Sequence, residues 1–269
     1  MIVSFPVFAE AVLRLCVWLV LLSLLFIPLE RWCGIRHAPR PRRELRHDLF
    51  YYTVSSLMPV VVLSIPTALL AVAAQHLVPG ALQTSVANMP GVARIALAFL
   101  VGETGFYWGH RLSHEIPWLW RFHALHHSTE HLHFLANTRT HPVDMVITRL
   151  FGLVPLYLLG LAGPSLAGSA VPVAVIAAGQ VWGFFIHANV RWRLGPLEWL
   201  VTTPFFHHWH HTRNEHIDRN YASTLPVLDR VFGTHYLPRE WPAQYGTDTA
   251  HGDRIVDQLL DPLAPAGKS

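Results

Sequence analysis

The sequence predicts an all-α fold: a multi-pass transmembrane helical bundle of about four to five spans, with a cytoplasmic, His-rich helical cap holding a dimetal site. Three observations carry that expectation. Of the 269 residues, 52 % are hydrophobic and 14 % are charged, well short of the roughly 25 % charge usual in soluble domains. Several runs long enough to cross a bilayer carry no charge. Fourteen of the nineteen histidines lie between residues 110 and 216, in a chain otherwise unusually apolar.

The first span runs from about Val12 to Leu29, with Arg14 near its start placed to snorkel. A short basic loop follows, carrying Arg31, Arg36, Arg40, Arg42, Arg43 and Arg46 and broken by Pro39 and Pro41. Positive charge beside a span marks the cytoplasmic side, so these arginines read as topology determinants rather than a nucleic-acid site, despite the net charge of +3. The run from Leu49 to Val78 is long enough to cross with a kink at Pro59 or Pro66. A link from Pro79 to Gly91 then lies on the far side.

A third span, about Val92 to Trp108, returns the chain to the cytoplasm, and residues 109–146 lie outside the membrane. From Leu150 to His187 there is again no charged residue, with a break at Gly160, Gly163 and Pro164 that predicts a hairpin of two short spans. Counting spans from the basic loop puts both His-rich segments on one face of the membrane. Trp118, Trp120, Trp182 and Trp192 read as interface-belt residues. The expected divisions are an N-terminal membrane part at 1–91, a catalytic domain at 92–240 and a polar tail at 241–269 with no readable chemistry. No cleavable signal peptide is expected, and Cys16 and Cys33 suggest no disulfide framework.

His110 and His114 are four residues apart, which on a helix puts both imidazoles on one face. His123, His126 and His127 place two imidazoles on one helical face and one beside it, and His207, His210 and His211 repeat that arrangement. Eight imidazoles exceed the need of one metal and suit two with open positions; imidazole favours Zn, Cu, Fe and Ni alike. Metal-bound imidazoles usually donate their second N–H to a carboxylate or carbonyl, and Glu103, Asp144 and Asp218 are the candidates. His131, His133, His216, His235 and His251 read as non-ligands.

These three clusters resemble the histidine boxes of the fatty acid hydroxylase/sterol desaturase superfamily. The surrounding residues match too: an acidic residue and Tyr-Trp before the first box, Arg139-Thr140-His141-Pro142, His187-Ala188-Asn189, Thr203-Pro204, Asp218-Arg219-Asn220-Tyr221, and Leu228-Asp229-Arg230-Val231-Phe232-Gly233-Thr234. The resemblance implies a membrane enzyme with two non-haem irons held mainly by histidines, using O2 and two electrons to hydroxylate or desaturate a C–H bond of a lipid such as a fatty acyl chain or sterol. Carried over by position, the ligands are His110, His114, His123, His126, His127, His207, His210 and His211. The resemblance adds His187 and, more loosely, His141. His208 is a departure, since it offers a second candidate beside His207. With no Gly-rich dinucleotide fingerprint and no haem or iron–sulfur motif, the expected electron source is external: a cytochrome b5-like protein, a ferredoxin or a reductase.

Two other classes compete. A metal transporter would keep its polar ligands within the spans near the midplane, whereas these histidines lie beyond the span ends. A zinc-dependent membrane hydrolase needs about three protein ligands and a general base, far fewer than are present. A catalytically dead relative serving as an interaction protein would not need all three boxes intact.

Overall fold

The computed structural model describes residues 5–36, 42–162, 170–213, 216–249 and 251–264. Among the described residues the chain is helical, without strands beyond one isolated bridge between Thr212 and Tyr245. In order come α1 (Phe5–Cys33), α2 (Arg42–Val62), α3 (Ser64–Leu77), α4 (Gly80–Ala87), α5 (Gly91–Glu115), α6 (Pro117–His123), α7 (Pro142–Leu158), α8 (Ala170–His187), α9 (Pro204–His210), α10 (Val227–Val231) and α11 (Ile255–Leu260).

Two stretches, Ala9–Cys33 and Arg43–Leu77, are long and apolar enough to cross a membrane, and α4 with α5 makes a third if that pair, bent by 119°, is one span. The second stretch breaks at Leu63 because Pro66 has no N–H to donate and its ring crowds the carbonyl of Val62. The segment 79–91 is not the irregular link its prolines and glycines suggest. Pro79 stands just before α4, where its missing N–H costs nothing, and its carbonyl accepts from Leu82 and Gln83. α7 and α8 stand at the two ends of the uncharged run 150–187; Gly163 and Pro164, expected to break it, lie outside the described residues, as do Pro39, Arg40 and Pro41 of the basic loop.

The cap is bolted to the first helix. Glu30, near the end of α1, accepts hydrogen bonds from the backbone N–H of Phe134 (2.8 Å) and Asn189 (3.0 Å). The Asn189 side chain in turn accepts from Ile35 and Arg36 N–H and donates to the Arg36 carbonyl. Beneath these polar bonds, Leu22, Phe26, Tyr52, Phe134, Leu135 and Phe184 form one buried cluster, with Phe26 and Phe134 stacked at 5.3 Å. Arg36, expected only as a topology determinant, makes specific contacts: its guanidinium lies 4.3 Å above the Tyr245 ring and donates to the carbonyls of Pro242 and Ala243.

The C-terminal segment also packs back on the cap rather than trailing off. Tyr51 donates to Gln258, Trp120 donates to Thr249, and the Leu259 carbonyl receives the His141 ring.

What fixes the site's frame is the close crossing of α5 and α7. A Cβ on Gly105 would lie 2.2 Å from the Phe151 carbonyl oxygen, and one on Gly109 would lie 2.8 Å from the Phe151 Cβ. Only hydrogen fits there, which is the usual device for bringing two helix backbones together in apolar surroundings. The approach sets Asp144, in the first turn of α7, opposite Ser113 of α5 (3.3 Å). Gly105→Val is therefore expected to push the helices apart at an overpacking cost of about 1–3 kcal/mol, and to lower metal content along with thermal stability. Gly80→Ala, at a position with open space around it, is the control and should change neither.

Candidate metal centre

α5 continues to Glu115, so His110 and His114 point from one face of its last turns. It ends because Pro117 forces Ile116 into an extended conformation (φ −96°, ψ 114°) and opens the next helix. α6 delivers His123 at its final position, and His126–Ser128 follows as a single 3-10 turn. The second box thus spans a helix end and a 3-10 turn, yet keeps the expected arrangement: His123 and His127 share one side, and His126 turns to another. α8 ends on His187. α9 starts on Thr203, whose hydroxyl accepts from Phe206 N–H (3.2 Å), with Pro204 at its first position, and carries His207 and His210.

These elements assemble two buried groups. His110, His114, His123, His127 and His210 form one; His126, His187, His207 and His211 form the other; in each, one nitrogen from every ring lies within 4.8 Å of the rest. The second and third boxes are each divided between the two groups. The groups share a seam, where the rings of His127 and His211 stack at 4.4 Å.

Hydrogen bonds on the far side of six of the nine rings fix which nitrogen faces inward. Nδ1 of His110 bonds the Tyr221 carbonyl (2.6 Å), Nδ1 of His210 the Arg219 carbonyl (2.8 Å), Nδ1 of His126 the Arg139 carbonyl (3.1 Å) and Nδ1 of His187 the Gly183 carbonyl (2.7 Å). A carbonyl only accepts, so those Nδ1 atoms carry the proton and the inward Nε2 atoms are bare lone pairs. Carboxylates serve two more rings: Asp144 faces Nδ1 of His123 (3.0 Å) and Asp218 faces Nδ1 of His114 (3.2 Å).

Those lone pairs have no counterpart in the protein. Nε2 of His114, His123 and His210, and both nitrogens of His127, are buried without a partner. In the second group the Nε2 atoms of His126 and His187 face each other at 3.2 Å, and His187–His207 and His207–His211 at 3.0 and 3.1 Å. Two imidazoles whose protons sit on Nδ1 repel across such a gap. A cation removes the repulsion, and nitrogens bound at 2.0–2.1 Å to a tetrahedral centre stand roughly 3.4 Å apart. Burial first, and the neighbouring imidazoles second, hold His126, His127, His207, His210 and His211 well below the usual imidazole range, so they are neutral donors at physiological pH. The residues present thus fit a pair of borderline transition-metal ions.

Other expected residues are placed elsewhere. Both nitrogens of His208 are engaged outside the centre, with the Tyr245 hydroxyl (2.7 Å) and the Ala188 carbonyl (3.0 Å), so it is His207 that joins the group. His141 caps α7, accepting from Val143 N–H and donating to the Leu259 carbonyl. Glu103 touches no imidazole; it accepts from Ser223 Oγ (3.1 Å) and Thr224 N–H (3.0 Å). Seven residues before His110, it lies roughly 10 Å away along the helix axis. Trp120, expected in the interface belt, also packs on the histidines: its ring lies 5.0 Å from His114 and 5.5 Å from His127. It walls a cavity of about 550 Å³ with Asp218, Arg213 and Thr247–Thr249. None of His131, His133, His216, His235 and His251 joins either group.

Three supporting residues had no assigned role in the sequence. Asn220 has φ +59°, a left-handed conformation that Asn tolerates better than most residues. That turn aims the carbonyls on either side of it, Arg219 and Tyr221, at His210 and His110. The Asn220 side chain locks it by donating to the Phe206 and Tyr236 carbonyls and accepting from Tyr236 N–H. Asp229, fully buried, accepts from the N–H of Tyr221 (2.8 Å) and Ala222 (2.9 Å) and from the Thr234 hydroxyl (2.7 Å). Asp48 binds the Arg139 guanidinium (2.6 Å) and His133 (2.9 Å), steadying the segment whose carbonyl serves His126. The motifs around Asn220 and Asp229 were visible; their hydrogen-bond partners lie within sixteen residues but across irregular loop, where no helical or strand period announces them.

Residues 95–234 match the family model described as fatty acid hydroxylase. Among curated proteins, the chain is similar to ornithine lipid hydroxylase OlsE of Rhizobium tropici (34 % identical over 181 residues, 66 % of this chain and 53 % of that protein). It is similar also to alkylglycerol monooxygenase of Xenopus tropicalis (35 % over 155 residues, 56 % and 32 %) and to very-long-chain aldehyde decarbonylase GL1-6 of Oryza sativa subsp. indica (31 % over 146 residues, 48 % and 21 %). The matched region spans about half the length of the first of these relatives and about a third of the second. No solved structure matches.

Proposed function

Because the chain belongs to the fatty acid hydroxylase family, we propose that it is a membrane-bound, non-haem di-iron oxidoreductase that hydroxylates a C–H bond of a lipid. The overall reaction is R–H + O2 + 2 e⁻ + 2 H⁺ → R–OH + H2O, with the electrons supplied by an external donor on the water side. Hydroxylation stands ahead of desaturation because relatives covering more than half of this chain bear the names hydroxylase and monooxygenase. The single observation that carries the reading is the pair of buried all-histidine groups, in one of which inward nitrogens lack a protein partner and in the other of which they face one another at 3.0–3.2 Å.

In this reading His110, His114, His123, His127 and His210 hold one iron, and His126, His187, His207 and His211 hold the other. Bound iron supplies the oxygen-activating chemistry. The chain's own residues do the rest. The carbonyls of Arg219, Tyr221, Arg139 and Gly183, with Asp144 and Asp218, hold Nδ1 of His210, His110, His126, His187, His123 and His114 and so aim their Nε2 atoms inward. Burial keeps the imidazoles neutral and keeps bulk water from the centre. Most of the histidines stand at the ends of α5, α6, α8 and α9, beyond the apolar stretches of α5 and α8, which is the placement the reading requires for a lipid arriving from the bilayer and a donor from the water. That placement also argues against a transporter, and nine imidazoles against a zinc hydrolase. The cytoplasmic face and four to five spans belong to the same proposal.

The test is metal content per chain after expression with iron. About two irons per chain, with a new hydroxylated lipid in expressing cells, is the expected result. Folded protein that binds neither iron nor another transition metal would overturn it.

A further inference from the structure

The loop 191–201 and α10 present a surface that the metal centre does not use. Leu197, Trp199, Leu200, Val227 and Val231 are between 44 % and 69 % exposed. On α10 the reason is local: Val227 and Val231 are four apart on the outward face, while Leu228 and Asp229 turn inward. Arg230 joins the two pieces into one surface. Its guanidinium lies 4.0 Å over the Trp199 ring and donates to the carbonyls of Trp199 (3.0 Å) and Glu198 (3.2 Å).

The charges around these side chains are of one sign. Arg191 and Arg193 are exposed beside the loop, and Arg230 is half-buried. The two acids of these segments are buried and engaged, Glu198 by Arg193 and Asp229 by backbone N–H groups. An apolar patch with aromatic content and a cationic rim is the chemistry of a lipid interface.

Its depth points the same way. Glu103, which holds Ser223 and Thr224 just before α10, stands roughly 10 Å from His110 along α5, toward the apolar half of that helix. Trp182, within α8, donates to Thr202 at the other edge of the loop (3.1 Å). Both tethers therefore lie on the membrane side of the histidines.

We propose that residues 195–201 and α10 form an apron seated in the headgroup–acyl boundary of the leaflet that bears the metal centre. Leu197, Trp199, Leu200, Val227 and Val231 enter the upper acyl region, and the rim cations Arg191 and Arg230 meet lipid phosphates, Arg193 being held by Glu198. The apron fixes how far the histidines stand above the bilayer. It rests on the membrane reading of the helices, not on the identity of the metal.

The experiment uses the full chain in nanodiscs, with Cys16 and Cys33 replaced by alanine and an environment-sensitive dye on Leu200→Cys, Val231→Cys or, as a water-side control, Asp248→Cys. Dyes at 200 and 231 should be quenched by phosphatidylcholine brominated in its upper acyl chain, by about twofold or more relative to unbrominated lipid, and shielded from aqueous iodide. The dye at 248 should behave oppositely. Equal iodide access at all three positions would overturn the apron. So would shielding that lipid bromines do not quench, which marks a protein partner or a second copy. The two probes sit on separate elements, so misfolding of one variant leaves the other to decide. Because the readout needs no metal, a chain that binds no iron leaves it unaffected.

Discussion

His127→Ala is expected to lose at least about 100-fold in lipid hydroxylation and to retain well under two irons per chain, while still inserting into membranes. His127 is fully buried, and neither of its nitrogens has a protein partner. It belongs to the five-histidine group, yet its ring stacks on His211 of the other. Removing it takes a donor from one site and the packing surface from the seam between both. The comparison that isolates this effect is within the third box. His207→Ala should lose iron as His127→Ala does. His208→Ala should keep it, because both nitrogens of His208 are already spent on Tyr245 and Ala188. Iron per chain and activity in the same membranes check all three. Full activity in His127→Ala would remove that residue from the ligand set.

Asp229→Ala is expected to weaken iron retention by roughly 10- to 100-fold without touching a ligand. Three buried donors, Tyr221 N–H, Ala222 N–H and the Thr234 hydroxyl, lose their acceptor together. Each buried group left unmade costs about 1–3 kcal/mol. The backbone it releases carries the Tyr221 carbonyl, which at 2.6 Å is the acceptor for His110. Asn220→Val should do similar damage from the other side, since a β-branched residue resists φ +59°; Asn220→Gly should recover part of it by accepting the conformation. Iron titration of each variant, read beside its thermal stability, separates a loosened site from a lost fold. Equal iron affinity in the parent and Asp229→Ala would show that His110 needs no such support.

The apolar helices, the helical class and the histidines that the fold gathers into two buried groups were legible in the sequence. Uncharged runs and a crowd of histidines are local properties, and a local property survives without knowledge of the fold. Spacing also carried His110 with His114, because four residues is one helical turn whatever surrounds it. The same spacing held in the other two boxes: His123 with His127, and His207 with His211, each four apart, fall in one group, while His126 and His210 beside them fall in the other.

What only the tertiary structure decided is which atom faces which. His207 and His208 are equal in sequence and differ only in what lies around them. Glu103 and Asp144 are both acids near a box; the crossing of α5 over α7, permitted by Gly105 and Gly109, brings Asp144 to His123 and leaves Glu103 to hold the loop before α10. The residue types that make a metal centre are written along the chain. Of the hydrogen bonds that aim its lone pairs, those from Gly183, Arg219, Arg139 and Asp144 are made within about twenty residues, whereas Tyr221 reaches His110 and Asp218 reaches His114 across more than a hundred, and only folding brings those together.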